Sequence, residues 1–335
     1  MSLNVFYFKR GALTIPLMAF NPETFIPQAV KEIKEKVGEK KAVIAVSGGV
    51  DSMVAAALAA KAVPNQLAAI FVDTGFMRKG ETEHVKEAAE KCGIPITILD
   101  ESERFIEKLV GVSDPEEKRR IIGELFIRVF EENAKKSGAE ILIQGTIAPD
   151  WIESGGAGRD TIKSHHNVGG LPEEMGLELC EPLRELYKHE VRMVGKEIGL
   201  PRYVYERQPF PGPALAVRIV GEITRERLGI VREACAIVEE EIDAASAKEL
   251  MERPWQYFAA ILPAKTVGVA GDERIYKYTI IVRAVGSLDG MTANFSKIPH
   301  EVLGAISTRI TNEVPGAGRV VYDITNKPPS TIEME

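Results

Sequence analysis

Cysteine is scarce: the chain has three, Cys92, Cys180 and Cys235, with no paired spacing. That count argues against a disulfide framework and fits a reducing cytoplasm. No apolar run is long enough to span a bilayer, so no membrane partner is expected. Positive charge is not in excess either. The formal net charge is −7, which argues against a chain built to hold a nucleic-acid backbone but leaves room for a local basic pocket. Also missing is the GxxxxGK[ST] phosphate loop with its lysine. There is no internal repeat and no low-complexity tract.

What is present begins with an irregular start. Residues 5–8 and 13–17 are apolar, but Lys9, Arg10 and Gly11 split them, so they make no continuous secretory core. Met18 reads as the natural start, and residues 1–22 as an extension outside the fold.

From residue 23 onward, helical and strand patterns alternate. Residues 41–46, 67–72, 94–99 and 139–144 are short runs, mostly apolar throughout, that read as buried strands. Helical patterns lie between them at 27–37, 51–62 and 82–91. A further helix starts at Asp114, a good N-cap, with Pro115 at the first helical position and Glu117 placed to close a capping box. This order predicts an α/β fold: a parallel twisted sheet with helices on both faces, over residues 23–206. Residues 207–213 are too rich in proline for helix or central strand and read as a linker. Residues 214–335 mix helix at 224–248 and 299–313 with strands at 265–269, 276–285 and 319–324, a smaller α+β domain.

The chemistry is concentrated in Ser47-Gly48-Gly49-Val50-Asp51-Ser52, between the first strand and its helix. Open α/β sheets bind ligands there, outside the carboxyl end of a strand. Paired glycines let the backbone turn sharply and approach a ligand. The helix N-terminus offers N–H donors and a favourable dipole for an anion. Ser47 and Ser52 add hydroxyls. Asp51 beside phosphate makes sense with a cation, so Mg²⁺ is expected on Asp51. The alternative is a tight turn in which Asp51 or Ser52 merely caps the helix; capping explains neither the second serine nor both glycines.

SGGVDS after a strand resembles the PP-loop of the ATP pyrophosphatase superfamily, whose members use ATP to adenylate a substrate and release pyrophosphate. The resemblance implies an adenine nucleotide α-hydrolase-like sheet and ATP bound by residues 47–52. Further strings across residues 23–335 resemble the GMP synthetase family. Residues 71–78 (FVDTGFMR) end the second strand; there the backbone of Val72, with Gly145, would support adenine and ribose. In residues 114–123 (DPEEKRRIIG), Arg119 would contact the phosphate of xanthosine monophosphate (XMP), although Lys118, Arg119 and Arg120 could each be a solvated charge at a helix start. Residues 145–154 (GTIAPDWIES) and 163–170 (KSHHNVGG) match a lid in which Asp150, Glu153, Lys163, His165 and His166 hold the functional positions. The paired histidines could instead bind metal or be plain loop residues; no third ligand with helical spacing is visible.

Residues 207–215 (RQPFPGPAL) are similar to the family pattern RHPFPGPGL, with Gln208 for histidine and Ala214 for glycine. The alanine fits if its φ is negative. The string at 327–333 (KPPSTIE) implies XMP contacts from Lys327, Thr331 and Glu333, and Asp272 matches another. The resemblance also implies a homodimer through the C-terminal domain. None of the cysteines sits at the strand-to-helix elbow of a glutaminase nucleophile. The chain is therefore expected to use ammonia supplied by a separate glutamine amidotransferase subunit. Two other readings share the loop: NAD synthetase, which leaves KPPSTIE unexplained, and a nucleotide sensor without turnover.

Overall fold

The computed structural model describes residues 20–153 and 176–335, the side chains of 151–153 and 270 excepted. Lys163, His165 and His166 lie outside the described residues, and Glu153 is described in its backbone alone.

Helix α1 (Pro22–Val37) starts earlier than expected. The Asn21 side chain accepts from the Glu23 N–H, Pro22 stands in the first turn, and Phe20 meets Phe25 with ring centroids 5.6 Å apart. Residues 20–22 thus belong to the fold rather than to an extension. Strands β1 (Ala42–Val46), β2 (Leu67–Asp73), β3 (Ile96–Asp100), β4 (Ile141–Ile143) and β5 (Glu178–Cys180) form one parallel sheet in the order β3-β2-β1-β4-β5. The intervening helices are α2 (Val50–Ala62), α3 (Glu81–Lys91), α4 (Ser102–Lys108), α5 (Pro115–Ser137) and α6 (Ala148–Glu153).

Both sheet faces are covered, as the apolar runs predict. Ala42, Ile44 and Val46 pack with Ala69, Phe71 and Ile143 under α1 and α2, whereas Val43, Ile70, Val72 and Leu142 face Ile122, Leu125 and Val129 of α5. Alternate residues of each strand point to opposite faces, and both faces meet a core. The alanines of α2 are nearly all buried, which lets this helix lie between the sheet, α1 and α7 (Lys188–Ile198). The sequence pattern marks neither β5 nor α7; a three-residue strand carries too few positions for a period. At α5, Asp114 accepts from the Glu117 N–H at 2.8 Å. The expected capping box is only half made, because the Glu117 carboxylate turns to Arg120 at 2.6 and 3.0 Å.

The remaining elements are α8 (Arg202–Tyr205), a 3₁₀ turn (Ala214–Arg218), α9 (Arg225–Ala247), β6 (Gln256–Ala270), β7 (Glu273–Gly286), β8 (Asn294–Phe295), α10 (His300–Glu313) and β9 (Ala317–Asp323). Strands β6, β7 and β8 are antiparallel, and β9 returns parallel to β7 after α10. The β6–β7 hairpin is far longer than the expected 265–269 and 276–285. Residues 256–261 are buried at every position, so they show no alternation to mark a strand.

Residues 207–213 are held in place by side-chain contacts. Arg207 binds Glu81 and Gly48; Phe210 lies between the Arg78 and Arg218 guanidiniums, 4.0 and 5.0 Å from its ring centre. Gln208 is bonded at both ends of its amide: the NH2 donates to Glu239 at 3.0 Å and the carbonyl accepts from the Tyr257 N–H at 2.8 Å. One buried core runs from the α5 face of the first sheet through Ala214–Ile219 into the second sheet.

Ala214 does not meet the condition of a negative φ: its φ is +57°. The left-handed region costs an L-residue about 1 kcal/mol or more, whereas glycine enters it freely. Ala214→Gly is expected to raise stability by up to ~1 kcal/mol, the gain being partly offset by the loss of a buried methyl. Urea denaturation checks this; a lower midpoint at equal slope would show that the methyl outweighs the strain.

Candidate active site

The sheet order places the 47–52 loop at a topological switch point. The chain leaves β1 for β2 on one side, and β4 lies on the other, so a crevice opens above β1 between diverging connections. Gly49 is the N-cap of α2 and makes no side-chain cap; Asp51 lies within the first turn. Helix capping by Asp51 or Ser52 is thereby set aside. The first N–H donation back into the helix is Met53 to Gly49 at 3.1 Å, so the donors of the preceding turn have no intrahelical acceptor and point out of the loop.

The two serines stabilise the loop itself. Ser52 Oγ accepts from the Ser47 N–H at 3.1 Å, donates to the Gly49 carbonyl at 3.1 Å and lies 3.1 Å from Ser47 Oγ. The Gly49 N–H reaches Ser47 Oγ at 3.3 Å. The sequence offers these hydroxyls to a ligand; the fold uses them to brace the nest.

Both glycines at the crowded positions have a steric cause. Gly48 has φ +77°, and a Cβ there would lie 2.5 Å from Glu81 Oε1. Gly145, just beyond β4, would place a Cβ 2.9 Å from the Asp51 carbonyl and 3.0 Å from the Ser52 nitrogen. These are backbone atoms and cannot rotate away. Gly145→Ala is therefore expected to displace the loop and raise the KM for ATP roughly tenfold or more. Initial rates at varied ATP check this, and an unchanged KM would show that the loop yields without loss of grip.

Asp51 is the electrostatic focus. Its Oδ2 accepts from Lys188 Nζ at 2.5 Å, while Oδ1 is buried without a hydrogen-bond partner. Burial pushes the carboxyl above its ordinary value; Lys188 opposes this and the nearby Asp150 adds to it. A second residue of α7, Arg192, donates to the Arg207 carbonyl at 3.0 Å and carries charge toward Asp51. Neither Lys188 nor Arg192 is marked by any motif. Lys188 is 137 residues from Asp51, and only the fold joins them.

Asp150 stands in the first turn of α6 and accepts from the Ile147 N–H at 3.0 Å. Val72 is buried in β2, in register with Leu99 of β3. An open cleft of about 600 Å³ lies over the ends of β2 and β3, lined in part by Asp73, Thr82, Ser102 and Arg232. It does not include residues 47–52, and its charged groups already have partners: Arg225 pairs with Glu103, Arg232 donates to the Gly75 and Met77 carbonyls, and Asp73 accepts from Thr82, so size does not make it the nucleotide site.

An orphaned carboxylate oxygen beside an anion nest suits a divalent cation held by one or two carboxylates plus phosphate oxygens and water. Among the described residues no cluster of three or more His, Cys, Asp or Glu could hold a metal unaided. The donor set therefore fits Mg²⁺ bound together with a nucleotide.

The expected XMP residues are distributed unevenly. Arg119 is the fifth residue of α5, paired with Glu116. Lys327 donates to the Gly290 carbonyl at 2.7 Å, and Thr331 Oγ1 to the Glu333 carbonyl at 2.6 Å. The Glu333 carboxylate receives Arg218 at 3.0 and 3.1 Å and Gln256 at 2.7 Å. Gln256 opens β6, so these groups gather at the base of the hairpin. Asp272 lies at its tip. The 15 residues of β6 separate the two ends, on the order of 40 Å at the rise of a strand. Within one chain, then, the fold does not bring Asp272 to Lys327.

Residues 22–202 match the family described as PP-loop domain, and residues 241–334 match GMP synthase C terminal domain. The chain is 62% identical over 314 residues to a "GMP synthase [glutamine-hydrolyzing]" subunit of Thermococcus kodakarensis, covering 93% of this chain and 99% of that protein. The chain belongs to the GMP synthase family. The corresponding subunit of Methanocaldococcus jannaschii is 56% identical, with 94% of this chain and 100% of that one covered. "GMP synthase [glutamine-hydrolyzing]" of Thermotoga petrophila is 54% identical, and the alignment covers 92% of this chain but 62% of the Thermotoga protein. As a GMP synthase family member the chain is an ATP-using ligase that forms a carbon–nitrogen bond. No described helix is long and apolar enough to cross a membrane.

Proposed function

We propose that this chain aminates XMP to GMP in the cytoplasm through an O2-adenylated intermediate, releasing AMP and pyrophosphate. The observation that carries the reading is the anion nest at the switch point, built on Asp51 and braced by its own serines, in a chain that also has the GMP synthase C-terminal unit on a shared core.

Residues 47–52 would hold the β- and γ-phosphates, with Lys188 shifting from Asp51 toward phosphate. Val72 and Gly145 would support adenine and ribose through backbone atoms. Mg²⁺, held by Asp51 and the phosphates, would supply charge neutralisation at the α-phosphate. The XMP 2-oxygen attacks the α-phosphorus, and the bond to the bridging oxygen breaks to release pyrophosphate. Ammonia then adds at C2, AMP leaves with the C–O bond pair, and a proton passes to solvent. Asp150, Glu153, Lys163, His165 and His166 are assigned to closure over this centre, which would shield the adenylate from water.

Arg119 and Lys327 are assigned to the XMP phosphate, and Thr331 and Glu333 to the rest of the nucleotide. Asp272 can join them only from a second copy, which supports a homodimer through the C-terminal unit. Val267, Val269 and Tyr276 near the hairpin tip are 51%, 76% and 64% exposed, apolar surface suited to such a contact. Ammonia would come from a separate glutamine amidotransferase subunit. The cysteines here are unsuited to that role: burial lifts the Cys180 thiol to about 11 and pushes Cys235 up as well, so neither is a thiolate at neutral pH.

The test is pyrophosphate release from ATP with ammonium chloride, comparing XMP with nicotinic acid adenine dinucleotide. Release with XMP alone, matched by GMP, is the expected result. Release with the dinucleotide, or none with XMP, overturns the reading.

A further inference from the structure

Three fully buried cations converge on residues 323–335, each from a different element. Arg283 of β7 donates to the carbonyls of Ile332, Thr331 and Thr325 at 2.7, 2.8 and 3.0 Å and to Asp323 at 2.7 Å. Arg218 of the 3₁₀ turn holds Glu333. Lys118 of α5 pairs with the Glu335 carboxylate, whose side chain is 5% exposed. The first two contacts lie within the C-terminal unit. The third crosses to α5, the helix whose next residue is Arg119.

The Lys118–Glu335 pair makes one further hydrogen bond at each end. Lys118 Nζ also donates to the Ile219 carbonyl at 2.8 Å, and Glu335 Oε1 accepts from the Gly221 N–H at 2.7 Å. An ion pair this deep is a poor choice for stability alone: desolvating both charges consumes most of their attraction, and an apolar pair of similar volume often does as well. What the pair supplies is direction. Hydrogen bonds from two elements fix where Glu335 sits relative to α5, and with it the stretch that carries Lys327, Thr331 and Glu333.

We propose that Lys118 and Glu335 are positioning residues that set the spacing between Arg119 and the 327–333 segment, and so the affinity for XMP. This rests on the reading of the reaction given above. Neither residue touches the nucleotide; each acts through its neighbour, Lys118 through Arg119 and Glu335 through Glu333.

The experiment compares wild type with Glu335→Gln, Glu335→Asp, Lys118→Met and the Lys118→Met/Glu335→Gln double variant, using ammonium as nitrogen source. Glu335→Gln keeps the volume and the acceptor for Gly221, but it loses the charge and the second oxygen that accepts from Lys118. It is expected to raise the KM for XMP about tenfold, with the KM for ATP and kcat changed less than about twofold. Glu335→Asp should recover part of that loss, and the double variant should be no worse than the poorer single one, as coupled residues are. If Lys118→Met does not fold, Glu335→Gln still decides. An unchanged KM for XMP in Glu335→Gln, or a parallel shift of both KM values, kcat and the thermal midpoint, overturns the proposal. A wild type with no XMP-dependent pyrophosphate release overturns the reaction itself and this inference with it; an active wild type with an unaffected Glu335→Gln overturns this inference alone.

Discussion

Replacing Asp51 with asparagine is expected to lower XMP-dependent pyrophosphate release at least about a hundredfold, the cost of removing one preorganised electrostatic partner. In the same variant the thermal midpoint without nucleotide should rise. The two effects have one cause. Asp51 Oδ1 is buried with no donor, and burial raises its carboxyl pKa against the pull of Lys188. A carboxyl whose folded pKa lies above its unfolded value contributes stability below the unfolded value and loses it as pH rises through the folded one. The ionised form of Asp51 is thus a net cost to the free protein. Asparagine does not titrate, so the gap in midpoint between variant and wild type should widen as pH rises from about 4, through the raised pKa of the folded carboxyl. Scanning calorimetry across that range checks it. A midpoint that falls on substitution, by the same amount at every pH, would show that the Lys188 contact outweighs the burial.

Arg207→Met is expected to cost about 3–5 kcal/mol of stability, because it leaves an uncompensated charge inside the protein. Glu81 is 2% exposed in the ion pair and Arg207 is 18% exposed. The double variant Arg207→Met/Glu81→Gln should recover to within about 2 kcal/mol of wild type, since removing both charges removes the desolvation cost as well. Its nucleotide grip should not recover. Arg207 Nη1 also donates to the Gly48 carbonyl at 2.9 Å, and neither methionine nor glutamine replaces that contact on the glycine held at φ +77°. Urea midpoints and the KM for ATP, measured on the same preparations, separate the two roles. Full recovery of both in the double variant would reduce Arg207 to a structural partner of Glu81.

The loop, the strands that flank it and the parallel class of the sheet were legible in the sequence because each rests on near neighbours. Strand runs at 42–46 and 67–72 are continuous and apolar since both faces are covered, and SGGVDS carries its own geometry in two glycines and a helix start. Ala214 illustrates the limit within a local motif. The sequence marked it as a departure, but the sign of its φ depended on the packing of Leu215 and Ala216 into the common core.

The long-range pairs could not be read in advance. Lys188 on Asp51, Arg207 on Glu81, Lys118 on Glu335 and Gln256 on Glu333 join residues 77–217 positions apart, and one charged residue looks like any other until the chain has folded. Taken alone, the sequence determined the glycine-lined turn at 47–52 and the layering around it, since backbone periodicity and glycine freedom act over a few residues. The tertiary structure decided which charges are buried against which, and that Asp272 and Lys327 lie at opposite ends of one hairpin, because Coulomb partners and strand lengths are set only when distant segments share a core.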